Sequence, residues 1–406
     1  MSASAPSVRP WALPEAGPSL FSSRSSVDLS PNPLAVALER ARAASRTVLD
    51  LTESNPTRAG LPYARDAILA ALSRPASLLY EPAAFGLPSA REAVAREQSL
   101  HGPLVDASRV VLTASTSEAY AFLFKLLCDP GDEVLVPVPS YPLFEHLARL
   151  ESVHAVPYRL AYDGAWHVDV GSARAAVTSR TRAIVAVSPN NPTGSYLKRT
   201  ELVALASLGL PIVSDEVFAR YPLREDPTRA RSALEAEGAP LVFALGGLSK
   251  LAALPQMKLA WMAVGGDEAR VGEALGRLEV IADAFLSLGT PVQHAVTALL
   301  ESRHAAEGAI RERTRDNLAF VRSVVPGSPL TVLDVEGGWY ATLRVPRTRT
   351  ELEWAVALVE EDGVHVHPGH FFDFEGEAYL VVSLLTPEAT FQEAIRRVVS
   401  RVTSTA

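Results

Sequence analysis

The chain has 406 residues and a formal net charge of −8, from 38 Lys+Arg against 46 Asp+Glu. That balance opposes a nucleic-acid coat or a basic membrane-surface protein, whose affinity comes from clustered cations. With 48% hydrophobic and 21% charged residues and a single cysteine, Cys128, the composition is that of a soluble globular chain without an intrachain disulfide or a cysteine-rich zinc site.

Residues 1 to about 30 are rich in Pro and Ser and read as an extended arm. They contain no apolar h-region of a secretory signal. From Pro33 to about Ser45 a run of Ala, Leu, Arg and Glu predicts a helix. Short apolar runs then alternate with helical stretches, the pattern of parallel βα units. Strands are expected at 109–113, 133–137, 183–187, 211–215, 241–245 and 259–264, with a helix at 117–127 after the first. Uninterrupted apolar runs of this kind imply strands covered on both faces. A long helical region from about 266 to 325 follows, then a strand-rich segment that ends in a helix. No run reaches the roughly 20 apolar residues of a membrane span, so a cytoplasmic protein without membrane or nucleic-acid partners is expected. The organisation predicted is α/β: an arm and helix over 1–45, a large domain over 46–290 with a mostly parallel sheet, and a smaller domain over 291–406. The small domain is α+β and draws on both chain ends.

Loops at the C-terminal ends of parallel strands form the ligand crevice of an open α/β sheet. Ser115, Thr116 and Ser117 lie in the first such loop, where hydroxyls and free N–H groups at a helix start could cradle a phosphate. Simple N-capping explains them as well. Tyr141, in ProSerTyrPro at 139–142, could stack on a planar ring or only pack. SerProAsnAsnProThrGly at 188–194 leaves another strand, and Asn191 could bond a ligand hydroxyl. Asp215 ends an apolar strand, where a carboxylate needs a cation or a capping role. Ser249 and Lys250 follow the next strand, and Lys258 stands just before the last. Only four of the 38 cations are lysines, Lys125, Lys198, Lys250 and Lys258. An amine desolvated in such a crevice becomes a neutral nucleophile, which a guanidinium cannot. Lys125 and Lys198 read as ordinary helix or surface residues. A stacking aromatic, a hydroxyl partner, a carboxylate for a ring nitrogen, an imine-forming lysine and phosphate anchors are what a pyridoxal 5′-phosphate enzyme requires of its protein.

From about Leu51 to the C-terminus the sequence resembles the fold-type I, class I/II aminotransferases that use pyridoxal phosphate. The matching segments are AsnAsnProThrGly with Asn191, SerAspGluValPhe with Asp215, and SerLys with Lys250. TyrGluProAlaAlaPheGly at 80–86, with Arg91, resembles the segment that sends a tyrosine to the neighbouring subunit's phosphate. GluGlyGlyTrpTyr at 336–340 and ValHisValHisProGly at 364–369 resemble small-domain markers. The resemblance implies an aspartate-aminotransferase-like fold with a seven-stranded type of sheet and a homodimer with its site at the interface. It implies an aldimine at Lys250, which then shuttles a proton. Asp215 would meet the ring nitrogen, Asn191 the ring hydroxyl and Tyr141 the ring face. Ser115, Thr116, Ser117, Ser249, Lys258 and a partner's Tyr80 would hold the phosphate. Asn55, Trp339 and His370 are candidate substrate-binding residues.

Four positions depart from that family. Phe218 replaces a tyrosine, Gly247 a phosphate-facing serine, and Lys258 an arginine. Val381 replaces the arginine that binds a substrate's α-carboxylate, leaving Arg344, Arg24 and His370 as conceivable substitutes. The expected reaction is transfer of an amino group from an amino acid to a 2-oxo acid. Val381 keeps open a lyase, decarboxylase or oxygen-using enzyme on the same scaffold. A ligand-sensing regulator is disfavoured by the acidic charge and by the lack of an added helix-turn-helix region.

Overall fold

The computed structural model describes residues 20–376 and 378–405, so most of the expected N-terminal arm lies outside the described residues. The Val- and Ile-rich runs assemble into one sheet of eight strands. These are β1 (Val110–Thr113), β2 (Glu133–Val138), β3 (His154–Tyr162), β4 (Trp166–Val168), β5 (Thr181–Val187), β6 (Ile212–Asp215), β7 (Leu241–Gly247) and β8 (Ala260–Gly266). Their order is β1-β8-β7-β6-β5-β2-β3-β4. The strands from β7 to β3 run parallel, and β8 is antiparallel to both its neighbours. The short β4 folds back on β3 as a hairpin and adds one strand to a seven-stranded arrangement.

Alternate residues of one strand pack into different clusters, as the period of two requires. Val111, Val134, Val185 and Val213 face one side, with Phe122 and Leu278. Leu135, Ile184, Ile212 and Val242 face the other, with Leu202 and Leu205. Both faces are therefore covered, and burial of each such side chain contributes about 1.5–3 kcal/mol. The long helical region resolves into three helices, Glu268–Asp283, Thr290–Glu301 and His304–Val324. Gly289 and the Pro291 in the second helix's first turn make that break.

A second, antiparallel sheet comprises β9 (Thr331–Val332), β10 (Tyr340–Arg344), β11 (His367–Pro368) and β12 (Tyr379–Ser383), in the order β9-β10-β12-β11. The N-terminal helix Pro33–Ala43 joins it, burying Leu34, Ala37 and Ala41 in the cluster that holds Leu318, Val382 and Phe391. Leu49–Asp50 pairs with Val364–His365. Both chain ends thus meet in one core.

Lys198 corrects the sequence reading. It is a junction between the two parts of the chain, because the return of the chain at Glu336 brings a carboxylate onto it. Its Nζ donates to Asp226 Oδ2 at 2.8 Å and to the Glu336 oxygens at 2.8 and 2.7 Å. Arg229 Nε donates to the same carboxylate at 3.2 Å, and the Glu336 side chain is only 3% exposed. A Cβ on the next residue, Gly337, would lie 2.5 Å from the Tyr196 ring, so only glycine lets the strand approach this closely. Removing one member of a buried ion cluster leaves its partners uncompensated. Glu336→Ala is therefore expected to lose about 3–5 kcal/mol of stability. A denaturant titration reads this as a lower midpoint at similar slope, and an unchanged midpoint refutes it.

Candidate active site

The β-strand ends converge on one crevice. Lys250 lies on the short helix Leu248–Leu251 that leaves β7. Its amine sits 5.5 Å from the centre of the Phe218 ring and 5.1 Å from that of Trp339. Tyr221 donates to the Lys250 carbonyl at 2.7 Å, which fixes the lysine's main chain. Lys250 and Asp215 keep some accessible surface at the crevice, while their charged ends are desolvated by these aromatic walls.

Desolvation holds the Lys250 amine down to about 8, opposed only by the charge of Asp215. It also pushes the Asp215 carboxyl up to about 6, against hydrogen bonds from Val217 and Tyr120 and the charge of Lys250. Those bonds are Val217 N–H to Oδ1 at 3.2 Å and the Tyr120 hydroxyl to Oδ2 at 3.4 Å. The next residue, Glu216, is engaged elsewhere, its Oε1 accepting from Ala233 N–H at 2.7 Å.

The native amine binds fewer protons than the unfolded one between about pH 8 and 10.5. Its burial therefore costs stability below about 8, and that cost is relieved as pH rises through the window. Cofactor-free protein should accordingly acylate at Lys250 with a midpoint near pH 8, followed by peptide mass mapping. A midpoint at the ordinary lysine value rejects the assignment.

The two asparagines of the 188–194 turn have separate fates. Asn190 is internally satisfied, donating to Pro139 O and Thr193 Oγ1 at 3.0 Å and accepting from Ser140 at 3.0 Å. Asn191 is 8% exposed, and its buried Oδ1 has no hydrogen-bond partner. Tyr141 stands 43% exposed, near enough to Asp215 to feel its charge.

Ser115 caps the helix Thr116–Leu127, its side chain accepting from Glu118 N–H at 3.1 Å. The first-turn amides of Thr116 and Ser117 remain without intrahelical partners. Because β8 runs against β7, its start lies at the same sheet end, and Lys258 precedes it there. Lys258 is exposed, in a left-handed conformation at φ 51°, with no hydrogen bond or ion pair among the described residues. Gly247 leaves little room, since a Cβ there would lie 3.1 Å from that of Ala260. Ser249 is half-buried beside Lys250.

Of the candidate substrate residues, Trp339 is at the site. Asn55 uses its Oδ1 to accept from Thr57 N–H at 3.1 Å. His370 is turned toward Glu351, with its Nδ1 3.6 Å from that carboxylate. Arg24 reaches Leu150 O at 3.5 Å, and Arg344 lies exposed four residues along β10 from Tyr340, about 13 Å away at strand rise. Val381 is fully buried with Trp166, Leu333, Phe372 and Phe374. Tyr80 is 74% exposed, beside Leu78 and Leu79 at 89% and 62%.

Sequence reasoning missed Tyr120 and Tyr221. Tyr120 follows Thr116 by one helical turn, and that spacing places it on the crevice face. Tyr221 has no comparable signal.

A model of the family described as Aminotransferase class I and II matches residues 46–398. Mouse tyrosine aminotransferase is 24% identical over 383 residues, spanning 87% of this chain and 80% of its own length. Aspartate aminotransferase of Streptomyces avermitilis is 27% identical over 380 residues, spanning 88% and 90%. Among solved structures, an alanine aminotransferase from Pyrococcus furiosus superposes with a TM-score of 0.85. It covers 95% of this chain and all of its own at 23% identity, a likeness of fold.

Proposed function

Because the chain belongs to the class I and II aminotransferases, we propose that it moves an amino group from an amino acid to a 2-oxo acid through pyridoxal 5′-phosphate attached at Lys250. The observation that carries this reading is the Lys250 amine, held down to about 8 opposite Asp215 in an aromatic-walled crevice. The residues present suit the cofactor. Asp215 is a desolvated carboxylate whose charge a protonated ring nitrogen would compensate. Asn191 has unused hydrogen-bonding capacity for a ring hydroxyl. Lys258, Ser249 and the free amides of Thr116 and Ser117 suit a phosphate. Tyr141 is exposed enough to stack on the ring.

When bound, the cofactor acts as an electron sink for the bond pair released at the substrate's α-carbon. Lys250 provides the neutral amine that attaches it and then accepts and returns a proton at Nζ. Phe218 and Trp339 exclude water from that amine. Tyr120 orients Asp215 from beneath. Phe218 offers no hydroxyl to the ring, so Asn191 alone serves that edge from this chain's matched positions.

In the same reading residues 46–290 hold the cofactor and 291–406 close over the substrate. The chain works as a cytoplasmic homodimer, with a partner's Tyr80 at the phosphate. The exposed run Leu78–Tyr80 supports a covered surface there. Among the described residues no helix is long and apolar enough to cross a membrane. Lyase, decarboxylase or oxygen-using chemistry rests on Val381 alone, and the aminotransferase names of the relatives do not favour it.

The test is a single-turnover titration of the yellow, cofactor-loaded protein with amino acids. Conversion of its visible band to that of the amine form, restored by a 2-oxo acid, is expected. Release of ammonia with the oxo product, and no return by 2-oxo acid, would overturn transamination.

A further inference from the structure

The charges around Lys250 form a short inventory. Its amine is within electrostatic reach of Asp215, and Asp215 of Lys250. Tyr340 extends the wall, its ring 6.2 Å from that of Phe218. Tyr340 pairs with Ser383 across the β10–β12 ladder, and its hydroxyl is bonded to Ser54, the neighbour of Glu53. Glu53 is held in place from two sides. Its carboxylate Oε1 accepts from Asn55 N–H at 2.8 Å, and its carbonyl accepts from Ser383 Oγ at 2.6 Å. Among the described residues it takes part in no ion pair, unlike the buried carboxylate of Glu336. The strand that anchors it passes through Val381, which sits among apolar and aromatic side chains. Arg24, Arg344 and His370 are engaged or placed elsewhere.

Among the described residues Glu53 stands beside this crevice as a carboxylate with no ion-pair partner, while the crevice's two lysines, Lys250 and Lys258, are those assigned to the cofactor. Resting on the transamination reading above, we propose that Glu53 selects an amino donor carrying a second, protonated nitrogen, a diamine or a basic amino acid. A partly desolvated carboxylate attracts an ammonium and repels the far carboxylate of a dicarboxylic donor, so it discriminates by both signs. Glu53 takes no part in proton transfer in this reading; it meets the end of the substrate that does not react.

The experiment compares lysine, ornithine and putrescine with norleucine, glutamate and aspartate in the half-reaction of the loaded protein. Lysine is expected to exceed norleucine, its neutral counterpart, by about tenfold or more in kcat/KM, the effect of one charge-assisted contact, and glutamate to be poorer still. Glu53→Gln keeps an oxygen for Asn55 N–H, and should erase the preference for lysine, read as the ratio of the lysine and norleucine kcat/KM values. A second readout needs no turnover. In the Lys250→Ala protein, calorimetric binding of putrescine should weaken about tenfold on adding Glu53→Gln. Equal rates for lysine and norleucine, faster conversion of glutamate or aspartate, or a preference that survives Glu53→Gln would each overturn the proposal. If no donor of either class changes the absorbance, the transamination reading itself falls, and the selectivity with it.

Discussion

Lys250→Ala lowers kcat by about four orders of magnitude and removes the borohydride-fixable attachment of the cofactor. The expectation follows from the lysine's surroundings rather than from its position in the sequence alone. Its amine is held down to about 8, so a useful fraction is neutral at physiological pH. No other lysine offers that. Lys198 is tied to two carboxylates, Lys125 lies 2.5 Å from Glu151, and Lys258 is exposed. The fold should not suffer. The β7 strand and Tyr221's contact with the Lys250 carbonyl do not depend on the side chain, and a desolvated amine is lost. Intact mass after reduction and denaturation decides the matter. The parent chain should gain the cofactor's mass and the variant should not; retention of that mass by the variant would place the attachment elsewhere.

The crevice was legible in the sequence because strand ends are legible. Apolar runs mark the parallel strands, and the residues just past them, Asn191, Asp215 and Lys250, fall into one place by topology. What stayed hidden depends on contacts between distant segments. Lys198 and Glu336 are 138 residues apart, and neither position alone signals the other. Tyr120 reaches Asp215 across 95 residues because a helix beneath the sheet happens to face that strand end. Glu53 belongs to a loop whose place is set by Ser383, 330 residues later. The helical region expected from about 266 to 325 is helical, but its division into three helices stayed hidden for another reason. Its apolar periodicity continues through Gly289 and Pro291, and only the turn they impose separates the helices. Val381 was readable as a departure, but its enclosure by Trp166 and Phe372 required the second sheet to close on the hairpin of β3 and β4.

Asp215→Asn separates attachment from chemistry. The amide keeps an oxygen for Val217 N–H, 3.2 Å away, and turns an NH2 that donates to the Tyr120 hydroxyl oxygen, 3.4 Å away. The shape of the floor therefore persists, and only the charge is lost. Lys250 still attaches the cofactor, so borohydride reduction should fix it as in the parent, unlike in Lys250→Ala. Without the carboxylate the ring nitrogen has no partner to keep its proton, and electrons leaving the substrate's α-carbon find a poorer sink. A preorganised electrostatic contact of this kind is worth about a hundredfold to a thousandfold in kcat, and the half-reaction should slow by that factor. The change also acts on Lys250 directly. Asp215 is the one charge that favours its ammonium form, so the cofactor-free variant should acylate with a midpoint below about 8. Tyr120→Phe is the control, since it removes a long hydrogen bond and keeps the charge. A slowed half-reaction in Tyr120→Phe equal to that in Asp215→Asn would mean that orientation, not charge, is what the carboxylate supplies.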